Sequence, residues 1–216
     1  MKRSIYGVLM LLTFSGCISI PVSPTPRFYS LHSLSTDEAT QTQSVPAGMS
    51  IDFGPVRIPE YQNRPQIVTK NKDTTLNFSE FNRWAEHLDL AFEYAIGEDL
   101  AAMLPGATVK IHPWYPADPA KYQITVDVVR LESELEKDLF FAAQWTVIDV
   151  KTKKPLLTRR SEFRQPISPH NYHGLVETLS TACVLLSADM AKEMTSLNAR
   201  TETKENEPVF NQQEGK

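Results

Sequence analysis

Tyr122, Ile124, Val126 and Val128 alternate with Gln123, Thr125 and Asp127, and no other stretch of the chain constrains the fold as tightly. Side chains along a strand point alternately to opposite faces, so this run predicts a strand with one apolar face and one polar face. Leu139, Phe141, Ala143, Trp145 and Val147 repeat the period and supply a second inward row, with Trp145 as a core residue. Residues 151–154 read as a polar turn, and residues 156–164 return as a third strand. Consecutive strands joined by short turns predict an antiparallel meander.

Two helical stripes flank this block. Ser79 is a predicted N-cap for a helix over residues 79–104, with Phe81, Trp84, Leu88, Phe92, Ile96, Leu100 and Met103 on one side and Glu80, Glu86, Asp89, Glu93 and Glu98 on the others. Trp84 is assigned to the core on that spacing, and Pro105-Gly106 ends the helix. Ser168-Pro169 is the predicted start of a second helix, whose stripe runs from Tyr172 through Leu179, Cys183 and Met190 to Leu197. Shorter strand candidates lie at residues 28–31 (an edge), 49–53 continuing past Gly54-Pro55, 66–70, 74–78 and 109–112. The fold class is α+β: an antiparallel β-sheet with two long helices packed on one face, in a single domain over residues 28–197. With 41% hydrophobic residues in 216, one such core can be filled. Residues 33–47, rich in Ser, Thr and Gln, read as a flexible loop, and residues 198–216 as a disordered tail.

The N-terminus reads as an address. Lys2 and Arg3 precede an apolar run over residues 5–14, too short for the ~20 residues a spanning helix needs and of signal-peptide length. Ser15-Gly16-Cys17 follows and resembles the lipobox of bacterial lipoproteins, in which the cysteine is acylated and becomes the new N-terminus. Phe14 stands where Leu is usual. Residues 1–16 are then the signal peptide, and residues 17–27, with Pro21, Pro24 and Pro26, an extended acylated tether. Ile18 rather than Asp after the cysteine favours the outer membrane, facing the periplasm.

Composition removes several function classes. A net charge of −4 does not suit general nucleic-acid binding, which needs cations to replace phosphate counterions. Two cysteines exclude a disulfide framework and a four-thiolate metal site. His170 and His173 have no third ligand at a recognisable spacing, and Glu132, Glu134, Glu136 and Asp138 read as a solvated hairpin tip. No catalytic, cofactor or metal residues are assigned. The rival class is a periplasmic hydrolase using those acids or histidines. The stretch over residues 57–70 is the exception to a bland surface: two prolines, two arginines and a tyrosine between strands. Arg57, Tyr61, Arg64, Pro65 and Gln66 are its candidate partner-binding residues, since loops on rigid scaffolds often carry binding.

That stretch and its surroundings resemble the ABC-type transport auxiliary lipoproteins, the PqiC-like family. The segments, in order, are Phe28-Tyr-Ser-Leu31, Phe53-Gly-Pro-Val-Arg-Ile-Pro59, Arg64-Pro-Gln-Ile-Val-Thr69, Arg83-Trp-Ala-Glu86 and Tyr122-Gln-Ile-Thr-Val-Asp127, with Trp145 beyond. Gln62-Asn63 depart from the usual Leu-Asp, and His87 from the usual Pro. The resemblance implies a non-enzymatic accessory subunit, anchored in outer-membrane lipid through Cys17 and its acyl chains (palmitate among them). It would dock an MCE-type lipid transport assembly, through an MCE-domain periplasmic protein, and support envelope integrity. Rings and tubes are the habit of MCE assemblies, which points to a homo-oligomeric ring. An outer-membrane assembly lipoprotein with no tie to MCE proteins is the alternative within the same class.

Overall fold

The computed structural model describes residues 23–34, 48–114 and 119–205. The predicted signal peptide, Cys17 and most of the tether lie outside the described residues. So do most of the loop expected at 33–47 and the end of the expected tail.

β6 (Tyr122–Ser133), β7 (Asp138–Asp149) and β8 (Pro155–Pro166) form the meander that the alternation predicts. Tyr122, Ile124, Val126, Phe141, Trp145 and Val147 are all buried. Beyond β6 the sheet changes character. β2 (Ser50–Arg57) runs parallel to both β6 and β5 (Thr108–Ile111), giving the order β5-β2-β6-β7-β8. The expectation of a wholly antiparallel sheet is therefore corrected: this sheet is mixed. α1 (Leu88–Met103) lies between β2 and β5 in the chain, and a helical crossover brings the next strand back in the same direction.

β2 is a single strand across Gly54-Pro55, where its register against β6 shifts. Gly54 has φ +110°, and a Cβ there would lie 2.7 Å from His112 Cβ, so a residue with a side chain does not fit. The backbone N–H of Val56, next to this irregularity, donates to Glu93 Oε1 at 2.9 Å. Glu93 was expected on a polar face. It is buried because it satisfies that strand donor, and His112 Nδ1 sits 3.3 Å from its other oxygen.

A second sheet has the order β1-β4-β3, from β1 (Arg27–Tyr29), β3 (Gln66–Lys70) and β4 (Leu76–Trp84). The strand candidates at 66–70 and 74–78 pair as an antiparallel hairpin, β3 and β4, and β1 is the expected edge, parallel to β4. Residues 79–84 correct the helix boundary. Phe81, Trp84 and Leu88 have helical spacing, yet residues 79–84 belong to β4. Ser79 is buried and its Oγ accepts from the Asn82 backbone N–H at 3.0 Å, inside the strand. Pairing with β3 on one side and β1 on the other satisfies the backbone without a helix. α1 starts at Leu88, after His87, which makes no side-chain cap bond.

α1 lies over β2 and β5, and α2 (Tyr172–Glu205) over β7 and β8, with the two helices packed on each other. Leu88, Phe92, Ile96 and Leu100 of α1 and Leu179, Cys183, Leu186 and Met190 of α2 fill a single core with the sheet rows. Burial pushes the Cys183 thiol well above its ordinary range. Asn171, not Ser168, caps α2: its Oδ1 accepts from Gly174 N–H at 3.0 Å, while Ser168 and Pro169 sit exposed before the helix. The helix also runs past Asn198 to Glu205, so the expected tail is helical at its start. Residues 31–34 strap the helices together. Leu34 N–H donates to Asp99 Oδ1 of α1 at 2.7 Å, and His32 N–H to Ser180 Oγ of α2 at 3.3 Å.

Candidate docking site

Residues 58–65 leave β2 and return as β3 through tight turns. Gln62 N–H donates to Pro59 C=O (2.9 Å), Asn63 N–H to Glu60 C=O (3.1 Å) and Arg64 N–H to Gln62 C=O (2.9 Å). Two side chains then rivet the loop to the scaffold. Buried Gln62 donates from Nε2 to Leu131 C=O of β6 at 2.8 Å, and Asn63 donates from Nδ2 to Asp89 Oδ2 of α1 at 2.9 Å. These are two of the positions that depart from the resembled pattern. Their role was not legible in sequence, since each bond joins residues far apart in the chain.

The five candidate residues fare differently. Arg57 ends β2, and its guanidinium grips Asp127 of β6 with two prongs, Nε at 2.6 Å and Nη2 at 3.2 Å. Asp127 is its register partner, so this fork serves the sheet. Tyr61 is 40% exposed, with its hydroxyl 3.5 Å from Leu131 C=O. Arg64 is half-buried. Its guanidinium lies 4.3 Å from the ring centre of Phe78, and its Nε donates to Gln66 Oε1 at 3.3 Å. No carboxylate among the described residues pairs with it, and a cation–π contact holds Arg64 against β4. Pro65 is exposed and its carbonyl accepts from Trp84 N–H at 2.8 Å. Gln66 faces Arg83 across the hairpin. Arg64, with Pro65 and Gln66 beside it, thus comes against Phe78 of β4, while Tyr61 turns toward Leu131 of β6.

The rival catalytic groups are engaged in ion pairs or lie at the surface. Glu132 receives Arg130 (2.7 and 3.0 Å) and Lys70 (2.9 Å), and these cations hold its carboxyl down at about 2. It cannot donate a proton near neutrality. Asp138 pairs with Arg164 at 2.9 Å, Glu136 with Lys72 at 3.2 Å and Glu134 with Lys137 at 3.8 Å. His170 and His173 are exposed, and His173 Nδ1 is 3.9 Å from Glu177. Among the described residues no group of His, Cys, Asp and Glu is placed to hold a metal. Trp84 and Trp145 are both core residues, and Trp145 Nε1 donates to Ser161 Oγ at 3.2 Å.

The family model for the ABC-type transport auxiliary lipoprotein component matches residues 29–191. Solved structures share the fold, two of them over about four-fifths of this chain. One is an uncharacterised protein with TM-score 0.65 and 18% identity, covering 79% of this chain and 99% of its own. The other is a Xanthomonas campestris protein with TM-score 0.62 and 10% identity, covering 82% of this chain and 99% of its own. No curated protein matches the sequence.

Proposed function

The chain belongs to the ABC-type transport auxiliary lipoprotein component family, and from that premise we propose that it is a non-enzymatic docking subunit of an MCE-type intermembrane lipid transport assembly. Acyl chains on Cys17 hold it in the outer membrane, facing the periplasm. The folded domain receives the far end of an MCE-domain protein there, as a homo-oligomeric ring, and envelope integrity depends on that connection. The observation that carries this reading is the riveted loop: Tyr61, Arg64 and Pro65 are presented on turns fixed by Gln62 and Asn63. A pre-shaped loop loses little entropy on binding. Arg64 brings a planar fork with no carboxylate of its own among the described residues, suited to a carboxylate or carbonyl of a partner.

Affinity purification from crosslinked envelopes, scored for an MCE-domain protein, tests the partner. Arg64→Ala tests the site. A buried interface arginine is worth about 2 kcal/mol, so affinity should fall roughly thirtyfold. Losing the contact with Phe78 should cost folding only about 0.5–1 kcal/mol. Unchanged partner affinity would remove Arg64 from the docking site. Cys17→Ala should release the protein from outer-membrane fractions, and unchanged fractionation would refute the anchor.

A further inference from the structure

The small sheet has an outer face turned away from the main core cluster, on which Val68 is buried while Phe28 and Phe78 are exposed. Ile67 belongs to the core, so its neighbours Gln66 and Val68 point the other way, and their partners Arg83 and Phe78 share that outer face. Phe28 pairs with Arg83 and lies on it too, and Phe81 comes beside this end of the sheet, next to Asn82 and Arg27. Phe28 is 64% exposed, the most exposed large apolar side chain among the described residues, and Phe81 is 38% exposed. Pro24, Pro26 and Arg27 line a shallow concavity with Phe81 where the chain enters β1.

From this placement we infer that the Phe28–Phe81 end of the small sheet is a lipid-contact surface, seated in the headgroup region of the bilayer to which the chain is tethered. The inference rests on the lipid-anchor reading given above and adds a second point of attachment to it. Pro24 is seven residues beyond Cys17. At about 3.3 Å per residue the patch is held within roughly 25 Å of the acylated cysteine. The bilayer is therefore always within reach, at the high effective concentration a short tether gives, and a patch too weak to bind lipid alone can seat there. Aromatic rings on an otherwise polar surface suit the interface, and exposed Arg27 beside them offers a cation to phosphate headgroups. Seating this end would fix the orientation of the domain, which an acylated tether alone leaves free.

The test uses the full acylated protein in vesicles of phosphatidylethanolamine and phosphatidylglycerol, with lipids brominated near the headgroup end of the acyl chain. Trp84 and Trp145 are buried and set the wild-type baseline together with Trp114. Phe28→Trp should add emission that brominated lipid quenches beyond that baseline, and Phe81→Ser in the same background should reduce the added quenching. Quenching equal to the wild-type baseline overturns the inference. So does shielding of residue 28 from acrylamide that grows with protein concentration and not with lipid, which would show that a second copy covers the face. Wild-type protein that fails to float with the vesicles refutes the anchor reading itself, and this inference falls with it.

Discussion

Asp99 should make this protein less stable as the pH rises from 4 to 7. It sits on α1, fully buried, and accepts Leu34 N–H on Oδ1, while Oδ2 has no partner. His32 and Glu98 are the charged neighbours that act on it, and Glu177 of α2 lies 3.6 Å from His32. Burial is the largest influence and raises the carboxyl from 3.8 to about 6; the Leu34 bond opposes it. A folded-state value above the unfolded one means that the protonated form favours folding. The associated stability is fully present below about pH 3.8 and is lost as pH climbs through about 6. A rise of about two units corresponds to about 3 kcal/mol. Asp99→Asn keeps an oxygen for Leu34 N–H and carries no charge at any pH, and any cost of burying its new N–H₂ is the same at both pH values. Denaturant unfolding of both proteins at pH 4 and pH 7.5 isolates the effect of Asp99 and the groups coupled to it, because titrating groups that do not act on Asp99 cancel in the difference. The variant should gain about 3 kcal/mol on wild type between the two pH values. A difference that is the same at both would refute the burial argument.

Trp84→Ala should cost about 3–5 kcal/mol, read as a lower midpoint of unfolding, because the ring is 5% exposed. Trp84→Phe should cost much less, since Nε1 has no partner to lose; an unchanged midpoint for the alanine variant would refute the core assignment. Gly174→Ala should destabilise by about 1–3 kcal/mol, because the new Cβ would meet the Pro169 carbonyl oxygen and lie 2.8 Å from Pro169 N. A more stable variant, as helix propensity alone would give, refutes that contact. The buried Cys183 thiol should resist alkylating reagents until the protein is unfolded, and rapid labelling of the native protein would show that the core opens.

The elements legible from sequence are those whose evidence is local. A period of two fixes which side chains of β6 and β7 share a face wherever the strand ends up, and the α2 stripe works the same way. Pro59 and Pro65 mark the loop, but Gln62 and Asn63 look like any polar loop residues until Leu131 and Asp89 arrive from other elements. The same holds for Arg64, whose ring partner Phe78 comes from the next strand. Glu93 read as a surface acid because its partner, Val56 N–H, lies 37 residues away. Residues 79–84 show the limit most directly. The spacing of Phe81, Trp84 and Leu88 fits a helix, and only β1 and β3 on either side make the strand the better home for those backbone groups. Sequence determined the side-chain faces and the single core, because burial patterns are written along the chain. Tertiary structure decided the parallel pairing of β2, the start of α1 and the outer face of the small sheet, because backbone hydrogen bonds between distant segments carry no signature in either segment alone.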